Sequence, residues 1–165
     1  MHADVLEPLN YSDSLLRHIL STVRTIALVG ASGDWKRPSF FAMKYMQGKG
    51  YRMIPVNPGQ AGKEILGEMC YANLSDIPDK VDMVDIFRNS DDAYQVTKEA
   101  IEIDAAVVWM QLAVRNDKAA EEAEAAGLTV IMDRCPKIEY SRLFGELGWG
   151  GINTGVISSK RRKGR

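Results

Sequence analysis

The residues best equipped for chemistry lie in one short stretch, Ile26 to Phe40, which reads IALVGASGDWKRPSF. An apolar run ends at Gly30, where the missing side chain lets the backbone come close to a ligand, and Ala31 and Ser32 keep the turn small. Pro38 and Ser39 then open a helix, so backbone N–H groups and the positive end of that helix face the turn. Ser32 and Ser39 add hydroxyl donors. Lys36 and Arg37 add cations, and an Arg can grip a phosphate through two parallel hydrogen bonds. The plainer reading is a strand-to-helix turn with a solvated Lys-Arg pair. Two cations joined to a Pro-Ser helix start favour an anion site, and a phosphate is the anion such a loop fits.

The loop does not follow the nicotinamide dinucleotide fingerprint. That pattern needs G-x-G-x-x-G and an acid at the end of the second strand to hold the ribose. Here the turn is Gly30-Ala31-Ser32-Gly33 with no glycine at the last position, and the second strand ends in the neutral Asn57. The phosphate loop G-x-x-x-x-G-K-[ST] is absent as well.

The elements that must position this turn can be read along the chain. Ser12 caps a first helix in which Leu15, Leu16, Ile19, Leu20 and Val23 recur with helical spacing. Apolar runs at about Thr25–Val29, Tyr51–Val56, Met83–Phe87, Ala105–Met110 and Leu128–Met132 read as strands buried on both faces. Helices fit between them: one opened by Pro38 or Ser39 and ended at Gly48–Gly50, one beginning at Ser90, and an alanine-rich one from Asn116-Asp117 to Gly127. A last helix is expected over about Ile138–Leu147, and residues 59–80 read as irregular. Strand and helix alternate, which implies an α/β, Rossmann-like three-layer sandwich with a mainly parallel sheet of five strands or slightly more.

In such sheets ligands bind beyond the carboxyl ends of the strands. Those ends deliver Gly30–Gly33, Asn57-Pro58-Gly59, Phe87-Arg88-Asn89, Gln111-Leu112 and Asp133-Arg134-Cys135-Pro136. Phe87 could wall an adenine pocket or cap the core. Trp35, in a polar loop, fits a lid or contact surface. Trp109 and Met110 read as core. Asp82 and Asp85 lie in or beside a strand with no partner carboxylate for acid–base work. Cys135 sits at the ligand edge, either as a reactive thiol or as a small buried residue.

Composition narrows the classes. The chain has 165 residues, 45% hydrophobic and 26% charged, with a formal net charge of -1. That balance gives no general attraction to nucleic acid or anionic membrane. No apolar run is long enough to span a bilayer, and the start MHADVLEPLN is unlike a signal peptide. Cys70 and Cys135 form no metal-binding pattern and read as reduced thiols of a cytoplasmic protein. The two histidines, His2 and His18, precede the first strand, a poor endowment for acid–base catalysis. We expect one domain over 1–165, its core at about 15–147, with a disordered basic tail over 158–165.

Five segments taken together resemble a known family. GASGDWKRPSF, GYRMIPVNPGQAGKEILGEMCYANLSDIP, VDMVDIFRNSDDA, VVWMQL and AAGLTVIMDRCPKIEY occur in that order. They resemble the small bacterial CoA-binding proteins of the YccU-like family, which are similar to the N-terminal domain of the succinyl-CoA synthetase α subunit. The resemblance covers roughly residues 15–145. It implies a Rossmann-like fold that binds coenzyme A or an acyl-CoA. It places Gly30, Ala31 and Ser32 in the phosphate loop, completed by Arg37, Pro38 and Ser39. Asn57 and Pro58 would border the ligand, Phe87 and Arg88 would lie near the adenine, and Gln111 beside the pantetheine path. The anions of CoA would meet Lys36, Arg37 and Arg88.

The synthetase carries its phosphorylated histidine in a later domain, which has no counterpart here, and Gln60 replaces a lysine of its loop. The expectation is therefore a non-catalytic CoA carrier, sensor or regulator in the cytoplasm, with a protein partner or a second copy compatible with it. The rival readings are a non-catalytic subunit of an acyl-CoA ligase or transferase, and an NAD(P)-binding regulator.

Overall fold

The structure, a computed structural model, describes residues 6–145. The expected basic tail and the end of the last expected helix lie outside the described residues. Five strands, β1 (Thr25–Val29), β2 (Arg52–Val56), β5 (Met83–Ile86), β6 (Val107–Met110) and β7 (Thr129–Ile131), form one sheet in the order β2-β1-β5-β6-β7. Every pair in it is parallel. Two further short strands, β3 (Glu64–Ile65) and β4 (Glu68–Met69), make a separate antiparallel hairpin. The expected α/β sandwich is the observed one.

Helices cover both faces, as a parallel sheet requires. On one face α1 (Asp13–Thr22), α2 (Pro38–Gly48) and α5 (Pro136–Leu143) close over Ile26, Leu28, Met53, Met83, Val107 and Trp109. On the other, α3 (Ser90–Glu102) and α4 (Asp117–Ala125) cover Ala27, Val84, Val108 and Val130. The alanines of these two helices, Ala93 and Ala100 against Ala119 and Ala123, are buried and let them approach closely. Side chains close three helix starts. Ser12 accepts from Leu15 N–H at 3.1 Å, Asn89 from Asp92 N–H at 2.8 Å and Asn116 from Ala119 N–H at 2.9 Å. Each such cap is worth about 1 kcal/mol.

Several boundaries differ from the sequence reading for local reasons. The last helix starts at Pro136, whose fixed φ suits the first helical turn, and ends at Leu143. Tyr51 precedes β2, and its hydroxyl donates to the Leu20 carbonyl instead. The 59–80 segment is ordered: it holds the β3–β4 hairpin and two short 3-10 turns, Pro58–Gln60 and Leu74–Asp76. The hairpin turns on Leu66 and Gly67, both at positive φ (50° and 85°), the pairing that matches strand twist in a two-residue turn.

The sheet order creates a crevice. From β1 the chain crosses to β2 on one side, whereas β5 lies on the other side and leads away to β6. Loops leaving β1 and β5 therefore diverge, which is where open α/β sheets bind ligands. The ladder continues one residue past the strand ends, with Gly30 N–H donating to Val56 O at 2.9 Å, Phe87 N–H to Val29 O at 2.8 Å and Gln111 N–H to Ile86 O at 3.1 Å. Gly30, Asn57, Phe87 and Gln111 thus stand in a row across the carboxyl edge.

Candidate functional site

A cleft of about 460 Å³ opens at that edge, over the ends of β2, β1 and β5. This size is in the range of small-molecule sites. Its lining comprises Gly30, Ala31, Ser32, Arg37, Pro38, Ser39, Asn57, Gln60, Phe87 and Arg88. Nine of the twelve residues singled out from the sequence are among these.

Gly30 sets the floor. Its φ is 96°, and a Cβ built there would stand 2.3 Å from the Phe87 carbonyl oxygen. Only glycine allows the β1 and β5 ends to close to this distance. The loop beyond it folds on its own side chains. Ser32 Oγ accepts from Asp34 N–H at 3.0 Å, Asp34 Oδ1 accepts from Lys36 N–H at 3.0 Å, and Arg37 N–H donates to Asp34 O at 3.0 Å. Among the described residues, no partner takes the N–H groups of Ser32, Gly33 or Ser39. The start of α2 carries no side-chain cap. Ser32, Ser39 at the start of α2, and the two arginines Arg37 and Arg88 line one cleft, an arrangement suited to a phosphate-bearing anion.

Asn57 ties the second loop to the first. Its Nδ2 donates to the Ala31 carbonyl at 2.8 Å, and its Oδ1 accepts from Gly59 N–H at 2.9 Å. The backbone N–H of Asn57 donates to Tyr71 O at 2.9 Å, fixing the segment that carries the hairpin. Arg88 is half-buried and pairs with Asp92 of α3 at 2.9 Å. Arg37 is exposed at the mouth.

Three predicted residues stand outside the lining. Lys36 is exposed on the loop with its ammonium 5.8 Å from the centre of the Trp35 ring. Pro58 lies in an adjoining hollow with Ala72, Asn73 and Gln95, which shares Arg88 with the cleft. Gln111 stands one strand further along the row, and its Oε1 is buried without a partner among the described residues. Gln60 completes the wall although it is absent from the expected set. It comes from the 3-10 turn after Asn57, and its side chain reaches towards Gly33.

Other candidates resolve towards structure. Trp109 is fully buried and donates its indole N–H to Arg134 O at 2.9 Å. Asp82 Oδ2 accepts the N–H groups of Arg24 and Thr25 at 2.9 and 3.0 Å, pinning the entry to β1. Both cysteines are free and buried, and burial pushes the Cys70 thiol up. Trp35 is 64% exposed. Among the described residues there is no cluster of three or more metal-ligating side chains, and no helix is long and apolar enough to cross a membrane.

Comparison with known proteins gives a consistent picture. Residues 24–141 match a sequence family described as CoA binding domain. The Bacillus subtilis (strain 168) protein YneT is 37% identical over 132 residues, covering 80% of this chain and 96% of its own length. A Pyrococcus horikoshii OT3 structure superposes with a TM-score of 0.78 at 37% identity, over 86% of this chain and 99% of the other. A Thermus thermophilus structure gives 0.78 at 36% identity, over 81% of this chain and all of the other.

Proposed function

Because this chain belongs to the CoA-binding domain family, we propose that it binds coenzyme A or an acyl-CoA in the cytoplasm, without catalysis, as a carrier, sensor or regulator. The observation that carries this reading is the meeting of Gly30, Ser32 and Ser39, the uncapped start of α2, and Arg37 and Arg88 around one cleft. CoA bears a pyrophosphate and a 3′-phosphate, so it brings several negative charges to these donors.

In this reading the pyrophosphate lies against Ser32 and the α2 start, where Arg37, Pro38 and Ser39 complete the cradle. Phe87 and Arg88 border the adenine end. Asn57 and Pro58 flank the ligand beside β2. Pantetheine runs along the strand ends towards Gln111. Lys36 acts at longer range, drawing the anion in. Binding would order the Gly30–Pro38 loop and alter the surface around Trp35, which gives a carrier or sensor something for a partner to read. The whole of 1–165 would act as one domain.

The test is competition in native mass spectrometry. The protein is unfolded, refolded and presented with CoA, acetyl-CoA, NAD, NADP and ATP at equal concentration. A dominant CoA or acetyl-CoA adduct supports the reading, and a dominant NAD or NADP adduct overturns it.

A further inference from the structure

Two acceptor oxygens are buried without partners among the described residues, Asp85 Oδ1 and Gln111 Oε1. The register places them together. Asp85 sits in the middle of the sheet, opposite Leu28 of β1 and Trp109 of β6. Gln111 follows two residues after Trp109, and its N–H continues the ladder to Ile86 O. Side chains alternate along a strand, so Asp85, Trp109 and Gln111 share the face covered by α1, α2 and α5. With strands about 4.8 Å apart and a two-residue rise of about 6.6 Å, the α-carbons of Asp85 and Gln111 lie roughly 8 Å apart, a gap that an Asp and a Gln side chain together can span. Asp85 is 1% exposed.

Two buried acceptors cannot satisfy each other, and each left alone is costly. One hydrogen between them removes both deficits. Gln111 has none to give from Oε1, but a carboxylic acid does. Burial alone pushes the Asp85 carboxyl well above the ordinary carboxylate range. No charged group adds to that effect. Asp13 of α1 and Glu139 of α5 are both bound to Arg142, Tyr45 and Tyr140 contribute nothing to it, and Arg37 and Arg88 stand at the cleft rather than beside Asp85.

Asp85 also lies directly beneath the cleft. Gly30 and Phe87, which line it, are each two residues beyond the Leu28–Asp85 pair. Two residues of strand rise about 6.6 Å. A carboxylate at that depth would repel a phosphate above it, and a neutral acid does not.

We propose that Asp85 is a positioning residue of this site: its carboxylic acid donates a hydrogen bond to Gln111 Oε1, and the site weakens its hold on a phosphate-bearing ligand when that hydrogen is lost. The first half concerns the free protein. The second rests on the CoA reading above, and CoA is the probe used for it.

The free protein is tested first. Carbon-13 NMR of the Asp85 carboxyl should show the neutral acid at pH 7, and an ionised signal there overturns the proposal. A double-mutant cycle then reads the bond. Asp85→Leu and Gln111→Leu should each lower the unfolding midpoint, and the double variant should recover part of the loss, because replacing both partners removes the unpaired group. Strict additivity overturns the bond. Should Asp85→Leu fail to fold, Asp85→Val replaces it in the cycle, since this smaller, strand-compatible apolar side chain likewise removes the donor.

Titration with CoA completes the test. Wild-type affinity should fall by about tenfold as pH rises through the Asp85 transition, and Asp85→Asn should lack that fall. Equal pH dependence in both proteins overturns the ligand half. Absence of CoA binding at every pH overturns the CoA reading and this half with it, while the cycle in the free protein still decides the hydrogen bond.

Discussion

Gly30 and Phe87 meet at the carboxyl edge of the sheet so closely that a Cβ on residue 30 would lie 2.3 Å from the Phe87 carbonyl oxygen. Residue 30 also holds φ at 96°, a conformation that side chains rarely adopt. The two costs act together. Gly30→Ala should therefore lose on the order of 2–4 kcal/mol of stability, from backbone strain and the displaced β5 end. Urea unfolding of the two proteins measures it. A loss below about 0.5 kcal/mol would show that the strand ends move apart freely.

Asn57 joins the loops after β1 and β2 through Ala31 O and Gly59 N–H. Asn57→Asp keeps the acceptor for Gly59 but removes the donor to Ala31 and adds a negative charge to an anion cleft. Its effect should fall more on ligand than on fold. We expect a drop in CoA affinity of about tenfold or more, with a stability loss near 1 kcal/mol. Comparing titration calorimetry with thermal unfolding separates the two, and equal losses in both would assign Asn57 a purely structural part.

Trp35 is exposed on the loop and Trp109 is fully buried. CoA binding that orders the Gly30–Pro38 loop should shift or quench the Trp35 emission. Trp35→Phe provides the control by abolishing the change. Unaltered emission at saturating CoA would mean that the loop carries no signal to its surface.

Asp85 gives stability a pH dependence with a defined sign. In the unfolded chain its carboxyl releases its proton at about 3.9, whereas burial holds the proton to much higher pH in the native state. The native state thus binds more protons, and stability falls as pH rises from the unfolded value through the native transition. Asp85→Asn should remove that fall, so its unfolding midpoint should gain on wild type as the solution becomes more alkaline. Parallel curves from pH 5 to 9 would contradict this.

What was legible in the sequence follows from what kind of information each residue carries. Gly30, Asn57, Phe87 and Gln111 end runs of buried strand, so their common edge could be read from hydrophobic runs and the rule of parallel crossovers. Asn116 and Ser12 announced helix starts by their side-chain oxygens. Gln60 was not legible as a wall residue, because it depends on a 3-10 turn and on a hairpin whose Leu66 takes φ 50°, which leucine does not advertise. Asp82 looked like a spare acid beside a strand. Its use in holding Arg24 and Thr25 N–H is a contact across 57 and 58 residues, which no local pattern encodes. The partnerless state of Asp85 and Gln111 likewise appears only when β5 and β6 lie side by side.

The central claim is that a phosphate-bearing CoA is held by the cleft that Arg37 and Arg88 border. Isothermal titration of ligand-free protein with CoA, at two salt concentrations and with Arg37→Ala beside it, tests this most directly. Saturable one-site binding that weakens with salt is expected, with about a tenfold or greater loss of affinity in Arg37→Ala, as for a charge-assisted hydrogen bond to phosphate. CoA affinity that is the same in Arg37→Ala and wild type, or no CoA binding to either, would contradict it.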